Sequence, residues 1–339
     1  MRAAILKEFG EPLVVEDIPV PDILPNEVLV KVKASGLCMT DVHIQQGIIP
    51  TVALPYIPGH EMAGIVAQMG DRVRNVTIGQ HVVCGIDITC GGCPLCLKRR
   101  ENLCLKRVRI GFERDGSHAE YAAVPADNLY PIDEKVPFEQ ACVIPDAVAC
   151  MLHAIEDIGR VQPKERVLIH GVGGLGLQGV QILRHIGAEI FAAARTGRKL
   201  DMALELGADH IINTREQNLV DEIDRLTEGE MCDIVLDLVG QQDTVGEMLK
   251  CIRPGGRIVA LAYAAPKFSG DYQEMVIKEK EILGLRGSTR KNMLDTIRMV
   301  EQGVLKPTVT GRYPLEEINQ ALEDLRESKG LGRNVIVFE

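Results

Sequence analysis

From residue 166 onward, the apolar positions fall into short blocks of two alternating kinds. Residues 166–170 form a strand-length run with consecutive Val167, Leu168 and Ile169, and residues 177–186 read as a helix that stops at Gly187. The alternation then repeats. Strands are expected at 189–194, 210–213, 233–239, 256–262 and 281–285, and helices at 199–206, 219–227 and 244–252. Strands of this kind, each followed by a helix, predict a doubly wound parallel sheet.

That sheet accounts for less than half of a chain of 339 residues, so a second domain, or a domain interrupted by the sheet, is expected. With 46% apolar and 25% charged residues, the composition is that of a globular protein. The 38 basic residues are outnumbered by 48 acidic ones, and a net charge of -10 argues against nucleic acid or anionic membrane as partners. No apolar run reaches the 18 residues of a membrane span, and the opening Met1 to Glu8 has no signal-peptide core. A cytoplasmic location is expected.

Ten cysteines change the picture. In a reducing compartment such thiols are free, catalytic or metal-bound, and spacing decides among these. Cys90, Cys93, Cys96 and Cys104 form C-x2-C-x2-C-x7-C with Gly91, Gly92 and Pro94 in the gaps, the pattern of a closed, structural zinc cage. The first two spacings also fit an iron-sulfur run, but the fourth cysteine comes seven residues on and no proline follows it. The basic residues around it, Lys98, Arg99, Arg100, Lys106, Arg107 and Arg109, have no interleaved aromatic and read as a solvated face.

A second constellation lies upstream, with Cys38, Thr40, Asp41 and His43 followed by Gly59, His60 and Glu61. A thiolate and an imidazole are two plausible ligands of a catalytic zinc, which needs three from the protein. Asp41 and Glu61 are close enough in sequence to accept from a ligating imidazole.

The 166–170 strand runs into Gly171-Val172-Gly173-Gly174-Leu175-Gly176, a G-x-G-x-x-G loop between strand and helix. Such a loop lets backbone N–H groups and a helix N-terminus approach a pyrophosphate. An NAD enzyme ends its next strand with a carboxylate for the ribose 2'-hydroxyl. Here that strand ends in Ala194, followed by Arg195, Thr196, Arg198 and Lys199, a charge pattern that favours NADP(H) over NAD(H).

Taken together, the Cys38-to-His43 segment, Gly59-His60-Glu61, the four-cysteine lobe, the Gly171-to-Gly176 loop and the closing Gly332-Arg333-Asn334-Val335-Ile336-Val337 resemble the zinc-dependent alcohol dehydrogenases of the medium-chain dehydrogenase/reductase family. The match runs in order over essentially the full length. The resemblance implies a GroES-like, mostly β catalytic domain interrupted by a Rossmann domain. Residues 1–145 would form the first part, with the zinc lobe at about 88–106. Residues 146–286 would bind the dinucleotide, and 287–339 would return to the catalytic domain.

It also implies roles. Cys38 and His60 would hold a catalytic zinc, Thr40 would hydrogen-bond the alcohol, and His43 would end a proton relay. Asp41 would orient His60, Glu61 would stand behind the zinc as an exchangeable ligand, and the four cysteines would hold a second zinc. Arg333 is placed either at the cofactor pyrophosphate or on the surface. Many members supply the third zinc ligand as a cysteine. This chain has Asp146 at that point, with Cys142, Cys150 and Glu61 as competitors.

The activity implied is hydride transfer between a nicotinamide cofactor and a small alcohol, aldehyde or ketone, with two zinc ions per chain. Two rival readings stand beside it, a zinc-poor reductase of activated C=C bonds and a non-catalytic NADPH-binding protein. Ile48, Ile49, Tyr56 and Ile86 are expected to line an apolar, uncharged substrate pocket. A homodimer or homotetramer is expected through the sheet edge at 281–285.

Overall fold

The computed structural model describes residues 1–263 and 267–339, in two compact units: Cys150–Gly287, and Met1–Ala149 with Ser288–Glu339. The first is built on six parallel strands in the order His210–Asn213, Glu189–Ala194, Arg166–His170, Cys232–Asp237, Ile252–Ala260 and Glu281–Gly284. Val167, Leu168, Ile169, Ile190, Phe191 and Ala192 are completely buried. This is why these strands read as unbroken apolar runs, since both faces of the sheet are covered. The strand order reverses beside Arg166–His170, the position at which open α/β sheets leave a crevice for ligands.

Element ends differ from expectation where side chains intervene. The 233–239 strand stops at Asp237, because the Asp237 carboxylate accepts from the N–H groups of Val239 and Gly240 and turns the chain out of the ladder. The 256–262 strand instead begins at Ile252 and ends at Ala260.

The other unit holds a seven-stranded sheet whose main path runs Val309–Tyr313, Arg333–Val337, Glu27–Leu37, Glu61–Met69, His81–Cys84 and Leu129–Pro131, with Tyr121–Pro125 also pairing with Glu27–Leu37. The last strand of the chain lies beside one of the first, with Asn334 opposite Leu37 and Val335 opposite Gly36. On the other side, Gly36 faces Glu61. This register gathers Leu37, Glu61 and Arg333 at one end of the sheet. Gly36 permits the gathering, because a Cβ there would lie 1.9 Å from Glu61 Oε2.

The unit boundary falls at Ala149 and Cys150, so the segment from Asp146 to Ala149 belongs with Cys38 and His60, and the return begins at Ser288. The expected division placed Asp146 at the head of the dinucleotide domain.

Candidate active site

Cys38 is the N-cap of the Met39–Gln45 helix, and its N–H donates to Asp41 Oδ2 at 2.8 Å. A side chain reaching back from the first turn satisfies a donor that the helix cannot, and it fixes the direction in which the helix leaves the strand. The helix carries Thr40 and His43, and Thr40 Oγ1 lies 3.5 Å from Cys38 Sγ. The other oxygen of Asp41 lies 3.4 Å from His60 Nδ1. His60 Nε2 is 3.8 Å from Asp146 Oδ2, which is itself 3.5 Å from Cys38 Sγ. Asp146 reaches this point from a wide π-helical turn, Ile144–Val148.

The ligand atoms of Cys38, His60 and Asp146 all lie within 4.8 Å of one another. With zinc–ligand bonds of about 2.0–2.3 Å, tetrahedral geometry separates ligand atoms by roughly 3.3–3.8 Å, so the three side chains fit the ion. Burial would raise the Asp41 carboxyl, but the charge of His60 and contacts to His60 and His118 hold it far below the usual range.

Arg333 is buried, not on the surface. Its Nε donates to Glu61 Oε1 at 3.1 Å and its Nη2 to Asp146 Oδ2 at 2.8 Å, with a further contact from Nη2 to Glu61. The guanidinium is thus committed to two carboxylates of its own unit. Glu61 is completely enclosed, and burial pushes its carboxyl up to about 7 against the pull of Arg333. Cys142 turns its thiol to the Glu139 carbonyl at 3.3 Å, while Cys150 falls in the other unit.

Cys90, Cys93, Cys96 and Cys104 also bring their sulfurs within 4.8 Å of one another. Cys93 and Cys96, and likewise Cys90 and Cys104, are 3.5 Å apart, close to the sulfur spacing of a zinc–thiolate tetrahedron. Backbone N–H groups point at the sulfurs: Cys90 N–H donates to Cys104 Sγ at 3.3 Å and Lys106 N–H at 3.4 Å. Backbone donors at Leu105 and Cys96 draw the Cys93 thiol down to about 6, which suits a ligand that binds as thiolate.

Two family descriptions match the chain, the alcohol dehydrogenase GroES-like domain at residues 24–134 and zinc-binding dehydrogenase at 174–302. An alcohol dehydrogenase of Geobacillus stearothermophilus is 31% identical over 338 residues, covering 99% of each chain. The chain belongs to the zinc-type medium-chain alcohol dehydrogenase family. An L-threonine 3-dehydrogenase of Bacillus licheniformis is likewise 31% identical, over 98% of each chain. The crystal structure of an NAD-dependent alcohol dehydrogenase matches with a TM-score of 0.95 at 31% identity, over the whole of both chains.

The glycine loop is tight, and its shape depends on its glycines. Gly171 has a φ of +104°, which only glycine adopts readily. A Cβ on Gly176 would lie 2.6 Å from the Gly171 carbonyl, whereas one on Gly173 would point into open space. Leu175 is the N-cap of the Gly176–Ile186 helix, beside Gly174. Past the next strand, Arg195 and Arg198 are exposed, Lys199 is half-buried, and the Thr196 hydroxyl is buried without a hydrogen-bond partner among the described residues. The Lys199 ammonium is pushed down by burial and then by Arg195, the mark of two cations held near each other.

The expected pocket residues separate. Ile49 and Tyr56 are buried in a cluster with Val42, Ile44, Val52 and Phe112, against which Ile86 packs, while Ile48 is 49% exposed. Phe112 was not anticipated, yet its ring lies 5.2 Å from that of His60. Arg109, expected on a solvated face, lies over Phe112 at 4.0 Å and is bonded to Glu113 and Thr51. Stacking and a carboxylate partner draw this guanidinium inward.

Replacing Arg333 with Met should leave Glu61 buried without its counter-charge and cost about 3–5 kcal/mol. Denaturant unfolding checks this, and a variant of wild-type stability would contradict the assigned pairing.

Proposed function

We propose that the protein is a zinc-dependent oxidoreductase that interconverts a small alcohol with its aldehyde or ketone, using a nicotinamide cofactor, with NADP(H) favoured over NAD(H). The observation that carries the reading is the convergence of Cys38, His60 and Asp146, with Thr40 3.5 Å from the Cys38 sulfur. When bound, zinc supplies Lewis-acid polarisation of the substrate oxygen and the nicotinamide accepts or returns the hydride.

The chain's own residues supply the rest. Thr40 places a hydroxyl beside the ligand sulfur, where it can accept a hydrogen bond from a substrate hydroxyl and relay its proton by giving up its own. His43, three residues along the same helix, has its pKa lowered by burial, which favours the neutral imidazole able to take that proton onward. Asp41 and Arg333 hold His60 and Asp146 from behind. Glu61 lies outside the Cys38, His60 and Asp146 group with both carboxylate oxygens on Arg333, so it would have to leave that pair to serve as an exchangeable ligand.

A zinc-poor reductase would have no use for the Cys38, His60 and Asp146 cluster, and a non-catalytic protein would not need Thr40 beside it. Purified protein should contain about two zinc ions per chain. Cys38→Ser should lower this to about one and cut kcat by about 10³-fold, as expected for losing several kcal/mol of Lewis-acid stabilisation. A fully active Cys38→Ser enzyme would sink the assignment.

The coenzyme preference rests on Arg195, Thr196, Arg198 and Lys199, a basic cluster with no carboxylate at the strand end. Arg195→Ala should raise the KM for NADPH about 10–100-fold, the value of one charge-assisted hydrogen bond, and leave that for NADH nearly unchanged. Equal effects on both coenzymes would refute the 2'-phosphate role.

A homodimer or homotetramer is proposed through the edge strand Glu281–Gly284, whose outer side pairs with no strand among the described residues. The preceding Tyr272–Ile277 helix leaves Tyr272, Val276 and Ile277 exposed at 79%, 60% and 78%, a patch that favours burial against a second copy. Sedimentation equilibrium should give at least twice the chain mass, and a monomer at micromolar concentration would rule the proposal out.

A further inference from the structure

Asp41 carries a second imidazole for which the metal-site reading has no role. Its Oδ1 lies 3.4 Å from His60 Nδ1 and 3.7 Å from His118 Nε2. These three buried atoms have no hydrogen-bond partner among the described residues apart from one another. His118 is 0% exposed, and its Nδ1 lies 2.9 Å from Ser35 Oγ, which is 2.7 Å from Ser117 Oγ. The Ser35 hydroxyl can donate to Nδ1, and in that tautomer the ring proton is on Nε2 and faces the carboxylate. An imidazole shut inside a protein with both nitrogens aimed at polar groups costs more desolvation than a phenyl ring of similar shape would, so filling space does not explain it.

The backbone fixes the ring in place. His118 N–H donates to the Pro58 carbonyl at 3.0 Å and Ser117 N–H to the Gly59 carbonyl at 2.9 Å, so the segment is tied to the turn that leads into His60. Gly59 makes this possible. Its φ is +101°, and a Cβ there would lie 2.8 Å from both His118 N and His118 Nδ1.

We propose that His118 is a positioning residue of the catalytic metal site: tethered by Ser35, it supplies a second imidazole that fixes Asp41 in the orientation from which Asp41 directs His60 at the metal. The inference rests on reading Cys38, His60 and Asp146 as that site. With Cys38 N–H on one oxygen and two imidazoles facing the other, the carboxylate is constrained from three directions. Groups one step behind a ligand are typically worth about 10–100-fold in metal affinity.

The test compares wild type, His118→Phe, His118→Gln and Ser35→Ala by competing zinc away with a chelator and by recording the visible spectrum after cobalt substitution. His118→Phe should bind the more labile zinc at least about 10-fold more weakly and shift the cobalt bands, with the four-cysteine zinc retained. His118→Gln, which keeps an N–H within reach of Asp41, should recover most of the affinity. If His118→Phe melts at a lower temperature but binds zinc and shows cobalt bands as wild type does, the residue is merely structural and the proposal falls. Should His118→Phe fail to fold, Ser35→Ala decides by the same criteria, with wild-type affinity and bands overturning the proposal. Wild type holding only the four-cysteine zinc would instead overturn the metal-site reading itself.

Discussion

Negative charge in the interior of the catalytic unit is the constraint on which the site depends. Cys38, Asp41 and Glu61 are buried and Asp146 is nearly so, and all four can be anionic. An ion taken out of water costs several kcal/mol unless it is paired and hydrogen-bonded. Each compensation can be named. Asp41 accepts the Cys38 N–H and faces two imidazoles, and Arg333 bridges Glu61 and Asp146. One guanidinium cannot balance four anions, and a divalent ion held by Cys38, His60 and Asp146 would supply the charge that remains. A donor set of a thiol, an imidazole and a carboxylate that held such an ion would serve electrostatics and chemistry together.

This constraint reaches into the fold. Arg333 comes from the closing segment, and it meets Glu61 because the Arg333–Val337 strand is laid beside Glu27–Leu37. The catalytic unit is completed only after the dinucleotide unit has been traversed. Gly36 and Glu61 are adjacent in the sheet, and the missing side chain of one makes room for the carboxylate of the other.

What was legible in the sequence was mostly local. The parallel sheet showed as apolar blocks because each strand is covered on both faces, and the glycine loop and cysteine lobe showed because all their parts fall within a few residues. Cys38 and His60 were individually weak signals and gained meaning only from the order of motifs along the whole chain. The role of Arg333 is not legible locally, since its partner Glu61 is 272 positions away and nothing beside it in sequence marks the pairing. His118 gave no signal at all. Its burial, its contact with Asp41 and its tie to Gly59 are tertiary facts, and a lone histidine between Ser117 and Ala119 is unremarkable by pattern. By its basic neighbours in sequence Arg109 reads as solvated surface, whereas Phe112 and Glu113, in the turn that follows, draw it inward.

On this reading Cys38, His60 and Asp146 would hold one metal ion and the four-cysteine lobe another. Anomalous diffraction at the zinc edge, from crystals of the protein as purified, tests it most directly. Two anomalous peaks per chain are expected, one among the four cysteine sulfurs and one bounded by Cys38 Sγ, His60 Nε2 and an Asp146 carboxylate oxygen. A single peak at the cysteine lobe, with Asp146 bonded only to Arg333, would contradict it.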